Sequence, residues 1–182
     1  IVPSVGAAIV WIVILNPQFG LLNRGLGLLG IDGPGWLTSP TWAKPAIILM
    51  NLWGIGGSFV IFLAGLQGIP PEYYEAASVD GAGAWHHFWR LTVPLMTPTV
   101  LFNLVMESIY AFQVFEAAFI TTGGGPLRAT YFLALYIYDN AFKFLSMGYA
   151  SAVSWLLFIM IMAFTLLVLR SSDRWVFYGG GE

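Results

Sequence analysis

Cysteine is absent from the 182 residues, which excludes disulfides and thiol chemistry. Charge is scarce as well. Only 9% of residues are Asp, Glu, Lys or Arg, against about 25% in ordinary soluble domains. The net charge of −2 offers no basic surface for nucleic acid or an acidic partner. Only two histidines occur, His86 and His87. As sequence neighbours they do not share a helical face, so they make a poor metal site and no metal is expected. No GxxxxGK[ST] run is present, so this chain cannot itself be a P-loop ATPase. Nor does Ile1–Leu15 read as a signal peptide, since no charged region precedes it and no cleavage site follows.

What remains is apolar. Hydrophobic residues make up 58% of the chain, more than a soluble core of this size could hide, and the fitting solvent is a bilayer. Crossing one takes about 20 apolar residues. The expected spans are 46–69, 95–120 and 148–169. Residues 1–15 would rise only about 22 Å, so they are expected to be the end of a span that begins before the chain does. Residues 16–42, rich in Gly, Pro, Asn and Ser, read as a structured loop with short helical pieces. Residues 121–147 open on Thr121-Thr122-Gly123-Gly124-Gly125-Pro126, a cluster of turn residues, and continue as an aromatic stretch to Tyr138 expected along the membrane interface. Arg170-Ser171-Ser172-Asp173-Arg174 is a polar stop before a short tail. Lys and Arg do not fix orientation: Arg90, Arg170 and Arg174 fall on one side, Arg24, Lys44, Arg128 and Lys143 on the other.

The most polar stretch, residues 70–94, carries the chemistry. The stretch opens on Pro70-Pro71, and a proline suits the first turn of a helix, where its missing N–H costs nothing. Glu72 and Glu75 complement the positive end of the dipole, and Ala76 and Ala77 leave that face open to close approach. Asp80-Gly81 turns the chain. Trp85, Phe88 and Trp89 suggest a second helix lying at the membrane surface. Pro94 and Pro98 are expected in the first turns of the next span, where they do least harm.

With its spacing complete, this stretch resembles the signature of binding-protein-dependent ABC importer permeases: EAA, three residues, G, nine residues, I-x-L-P. Here Glu75-Ala76-Ala77, Gly81 and Leu91-Thr92-Val93-Pro94 fill it, with conservative departures at the two aliphatic positions. Three further segments resemble the sugar-transporting branch, of the kind of the larger maltose permease subunit. They are Asn16-Pro17-x-Phe19-Gly20-x-Leu22-Asn23, Phe115-Glu116 leading into Thr122-Gly123-Gly124-Gly125-Pro126, and Gly148-Tyr149-Ala150-Ser151-Ala152. Glycerol-phosphate permeases share them.

The resemblance implies an all-α membrane protein, a polytopic helix bundle of the type I importer permease kind. It would form one transmembrane permease domain over residues 1–182, lacking N-terminal spans. Residues 70–94 would be a cytoplasmic coupling loop. Glu75, Ala76, Ala77, Gly81 and Pro94 would dock an ATP-hydrolysing subunit dimer, which would bind ATP and Mg itself; no cofactor is expected in this chain. A second permease subunit, an extracytoplasmic solute-binding protein and lipid are the other partners implied. The location implied is the bacterial cytoplasmic (inner) membrane. Function would be ATP-driven carbohydrate import, with glycerol phosphate or another small polar solute left open.

Independently of the resemblance, Asn103, Glu107, Tyr110 and Gln113 follow i, i+4, i+7, i+10 spacing, one polar stripe on a helix. Ionisable groups inside a membrane usually face a bundle interior or a watery path, so these residues are candidates to touch solute or to tie helices together. The same carboxylate would fit a proton-coupled secondary transporter. Glu107 and Glu116, nine positions apart, cannot act as a catalytic pair without another helix, and no catalytic residue is expected. A scaffold without transport is the remaining reading. Gly54-xxx-Ser58 is expected to mark close helix packing.

Overall fold

A computed structural model describes residues 4–178. Among them all regular structure is helical. The helices are α1 (Ser4–Ile14), α2 (Leu21–Leu28), α3 (Pro40–Leu52), α4 (Gly56–Gln67), α5 (Pro71–Val79), α6 (Ala84–His87), α7 (Val93–Phe112), α8 (Glu116–Thr121), α9 (Leu133–Tyr138) and α10 (Met147–Ser172). Three helical runs, Pro40–Gln67, Ala84–Thr121 and Met147–Ser172, are long and apolar enough to cross a membrane; Ser4–Ile14 is apolar but shorter. Along α10, large apolar side chains such as Leu156, Phe158, Leu166 and Leu167 are exposed, the pattern of a helix made for an apolar solvent or for partner helices.

The helices do not follow the expected segments throughout. The segment expected at 46–69 is helical from Pro40, with a 3₁₀ turn at Trp53–Ile55. The one expected at 95–120 breaks between Phe112 and Glu116.

The chain divides into two compact units, one of Ile1–Gly54 and Ala111–Ile159, the other of Ile55–Tyr110 and Met160–Glu182. In the first, α1 packs on α8. Ala8, Leu15, Ala46 and Met50 form a buried cluster ringed by Trp11, Leu22, Trp36, Leu37, Ala117 and Ile120. Ile47, Ala118 and Leu135 form another, with Phe115, Tyr131 and Tyr138 around it. Small residues at 117 and 118 let one short helix serve both clusters.

The two loops of this unit are built rather than slack. Asn16 Oδ1 accepts from the backbone N–H of Gln18 at 2.9 Å and of Phe19 at 3.1 Å, an Asx turn that ends α1. A Cβ on Gly20 would lie 2.4 Å from the carbonyl oxygens of Ile14 and Asn16. Asn23 Nδ2 donates to the carbonyls of Pro17 and Pro34, each at 3.2 Å, while its Oδ1 accepts from Trp36 Nε1 at 2.6 Å. Each polar position of the Asn16–Asn23 motif therefore has a local structural task.

In the other loop Gly124 sits at φ +89°, and a Cβ there would meet the Tyr131 ring at 2.6 Å. Fully buried Thr130 donates to the Gly125 carbonyl at 2.7 Å, and its Oγ1 lies 2.6 Å from Thr122 Oγ1. Thr130→Val keeps the volume but strands the Gly125 carbonyl, at a cost of about 1–3 kcal/mol. Thermal unfolding of the purified full-length variant is expected to start several degrees lower; an unchanged midpoint would show the network to be idle.

The aromatic stretch forms α9 and then a wide π turn, Asp139–Lys143. Asp139, the charged residue that follows the stretch, is only 7% exposed. Tyr131 Oη donates to its Oδ2 at 2.8 Å, and Lys143 Nζ lies 2.7 Å from its Oδ1. Burial disfavours the carboxylate, but the bonds from Lys143 and Tyr131 and the lysine charge prevail, so its pKa lies below the ordinary value. A depressed folded-state pKa stabilises the fold above the unfolded pKa, about 4, and that contribution is lost as pH falls through the folded value. The melting temperature is expected to fall as pH drops below about 4, and less steeply in Asp139→Asn. Equal acid slopes in both would refute the role given to Asp139.

Candidate functional site: the loop between α4 and α7

In the second unit α5 starts with Pro71 at its first position and Glu72 in its first turn. Its end is a Schellman motif. Gly81 N–H reaches the Ser78 carbonyl at 3.1 Å, and Ala82 N–H reaches the Ala77 carbonyl at 2.9 Å. Gly81 itself sits at φ +80°, with nothing within 4 Å of where a Cβ would be. Glycine is thus required by backbone conformation and not by crowding. Glu75, Ala76 and Val79 are exposed on α5, and Ala77 is partly covered.

Gly83 then precedes α6, and the chain does not stop there. α6 passes through a π turn, Phe88–Thr92, straight into α7. Pro94 explains the turn: it has no N–H for the Arg90 carbonyl and its ring crowds that position. Val93 N–H instead reaches back five residues to Phe88, the signature of a π bulge. Pro98 likewise leaves the Pro94 carbonyl without its helical donor, and Thr97 Oγ1 supplies one at 2.6 Å. Pro94 thus lies in the first turn of α7, as expected, whereas Pro98 is inside the helix. The whole helical run begins at Ala84, and within it both prolines are repaired locally. The surface helix expected around Trp85 is likewise continuous with α7.

One side of this run is tied to α5. Tyr74 Oη and Thr92 Oγ1 are 2.9 Å apart, Thr92 Oγ1 reaches the His87 carbonyl at 3.3 Å, and the His87 ring packs edge-on to Tyr74 at 5.8 Å. His86 is exposed while His87 is partly covered, so the two rings face different ways. The tail also returns to this place, since Phe177 N–H donates to Thr97 Oγ1 at 2.8 Å. The result is a short exposed helix, α5, braced to the start of a long apolar one.

The stripe on α7 is only partly assembled. Asn103 is 5% exposed, and its Nδ2 donates to the Thr99 carbonyl of its own helix at 2.9 Å. Glu107 is exposed and accepts from Ser58 Oγ at 2.5 Å. Tyr110 is exposed. Gln113 lies past the end of α7 at Phe112, so the ten-residue spacing does not place it on that helix. Close packing of α4 also differs from expectation. Gly54, Gly56 and Gly57 have open space about them, whereas a Cβ on Gly65 would lie 2.7 Å from Thr99 Oγ1 and 3.1 Å from Met96 Cε. Gly65 was part of the small-residue run, but nothing in that run singled it out. A cleft of about 440 Å³ in the first unit is lined partly by Asn16, Thr121 and Thr122, whose side chains are already bonded to backbone.

Known proteins are similar to this chain. A permease protein of Bacillus subtilis described as a probable ABC transporter permease, YesP, is 42% identical over 182 residues, covering 98% of this chain and 59% of its own. The trehalose/maltose transport system permease protein MalF of Thermococcus litoralis is 35% identical over 170 residues, covering 93% of this chain and 57% of its own. A crystal structure of a bacterial alginate ABC transporter, in complex with an alginate pentasaccharide-bound periplasmic protein, contains a chain that superposes with a TM-score of 0.83. That chain is 28% identical, with coverage of 95% of this chain and 61% of the other. The chain thus spans about three fifths of the length of the relatives it matches. With the family profile matching residues 1–176, the chain belongs to the binding-protein-dependent transport system inner membrane components.

Proposed function

We propose that this chain is part of a permease subunit of an ATP-driven carbohydrate importer of the bacterial cytoplasmic membrane. In this reading it forms half of the translocation path with a second permease subunit. An extracytoplasmic protein delivers the solute, and a separate ATP-binding subunit dimer binds ATP and Mg. The observation that carries the proposal is the braced helix α5. Its exposed Glu75-Ala76 edge can enter a cleft of another subunit, and Ala76 and Ala77 add no bulk to hinder that. Its Schellman end at Gly81 sets its direction, and the Tyr74–Thr92 and Tyr74–His87 contacts pass a push on α5 to α7 instead of letting the loop give way. Pro94 contributes by opening the π turn that places Thr92 there. Movement of one rigid element would then become rotation of helices.

Asn103, Glu107, Tyr110 and Gln113 are the candidate path residues. Glu107 is the strongest, being an exposed carboxylate on an apolar helix, where such groups face water or a partner. The test is ATP hydrolysis by the assembled complex in nanodiscs, with its binding protein and a panel of sugars. Hydrolysis is expected to rise only when the binding protein carries its sugar. Solute uptake that persists without ATP and follows a proton gradient would overturn the proposal.

A further inference from the structure

We propose that Trp85, Phe88 and Trp89 form a bilayer-interface anchor that sets how deep the start of α7 sits. This rests on the chain's membership of a membrane-component family and not on the solute or on coupling. The three rings make one cluster: Trp85–Phe88 at 6.4 Å, Trp85–Trp89 at 5.8 Å and Phe88–Trp89 at 5.1 Å between centroids. They occupy i, i+3 and i+4 positions, one helical face. The cluster is open, with Trp85 75% and Trp89 53% exposed. His87, about 200° round the helix from Trp85 at 100° per residue, is the side chain that faces Tyr74 of α5. The aromatic face therefore points away from α5, which cannot cover it.

Three observations select lipid as the occupant. The first is continuity. The cluster lies on the same helical run as α7, whose 20 residues at 1.5 Å each match a hydrocarbon core of about 30 Å. Counting back from Val93 puts Trp89 about 6 Å and Trp85 about 12 Å beyond that core. This is the headgroup zone and its edge, where Trp is favoured. The second is chemistry, since two indoles offer N–H donors at one end of an apolar body, and among the described residues none is hydrogen-bonded to either.

The third is the distribution of charge. Between Pro70 and Pro94 every acid, Glu72, Glu75 and Asp80, precedes Gly81, and the basic residues His86, His87 and Arg90 all follow it. Exposed Arg90, one residue past Trp89 and so at the same depth by this count, suits phosphate headgroups, which the acidic α5 would repel. The loop is thus divided: α5 for a protein partner, α6 and the π turn for the membrane.

The absence of cysteine makes the test direct. Ala84→Cys, and separately Asp173→Cys in the exposed polar turn after α10, are labelled with a nitroxide. The carrier is the full-length permease in its assembled complex, in nanodiscs of phosphatidylethanolamine and phosphatidylglycerol, with any cysteine outside this chain replaced. Collision with oxygen reports lipid; collision with a nickel chelate reports water. Position 84 is expected to favour oxygen severalfold more than position 173 does. Trp85→Ser with Trp89→Ser should raise nickel collisions at 84 severalfold, and Trp85→Tyr with Trp89→Tyr, which keeps interfacial rings, should restore the original ratio.

Equal nickel access at 84 and 173 in the otherwise unaltered chain would overturn the anchor. So would a label at 84 shielded from both reagents until the ATP-binding subunits are removed, which would make the cluster a protein-docking face. None of these readings requires transport, so failure of the importer proposal would leave them interpretable.

Discussion

Gly81→Val is expected to abolish sugar-dependent stimulation of ATP hydrolysis and to lower uptake at least about tenfold, while the protein still accumulates in the membrane. Gly81 lies at φ +80° with open space around its Cα, so valine meets no neighbour. The penalty is backbone strain of about 1–3 kcal/mol, at the upper end for a β-branched residue. That sum is modest beside a total stability of about 5–15 kcal/mol and falls in an exposed turn, so the helices need not unfold. It is enough, though, to break the two bonds that end α5, Gly81 N–H to Ser78 and Ala82 N–H to Ala77. Once they are gone α5 frays and loses its fixed direction relative to α6. A series separates conformation from side-chain bulk: activity should fall in the order Gly, Asn, Ala, Val, because asparagine tolerates the left-handed region. Asn and Val equally inactive would mean that any side chain at 81 blocks docking, and Val as active as glycine would remove the coupling role from this turn.

Some of this was legible in the sequence and some was not, for reasons that differ by residue. The turn at Gly81 could be read because a Schellman end leaves a local mark: an alanine-rich helix followed by glycine. Helix content was legible from runs of about 20 apolar residues. Breaks within those runs were not, because Trp53-Gly54-Ile55 and Val114-Phe115 are as apolar as their surroundings and Gln113 continued the polar stripe's spacing, so composition gives no warning. For that reason Gln113 was placed on a stripe that ends before it reaches 113. The π turn had a local cause in Pro94, but proline position alone did not tell a helix start from an interior repair; the continuous run from Ala84 decided it. Buried Asp139 was hidden because its partner Tyr131 lies eight residues back, before the start of α9. The Phe177–Thr97 bond joins residues 80 positions apart, with no pattern that could announce it.

Glu107 is where the largest change in transport stoichiometry is expected, and where path and packing can be told apart. Ser58 Oγ donates to it at 2.5 Å, which alone would suit a structural tie between α4 and α7. Ties of this kind in membranes average only about 0.6 kcal/mol and reach about 1.7. Ser58 can also turn its hydroxyl to a carbonyl of its own helix when the acceptor is removed. Removing the carboxylate should therefore cost little stability. Its exposed position, next to Tyr110 one turn further along α7, leaves the remaining acceptor sites free for the hydroxyls of a passing sugar. A charge-assisted hydrogen bond is worth about 1.5–3 kcal/mol, and 1.4 kcal/mol is tenfold. Glu107→Gln keeps the acceptor for Ser58 but not the charge, and sugar moved per ATP hydrolysed is expected to fall about tenfold. Membrane abundance and melting temperature should stay unchanged. Glu107→Leu should fall further in transport at similar abundance. The opposite outcome, transport per ATP intact while Glu107→Leu melts earlier, would make Glu107 a tie between helices and take the path away from this face of α7.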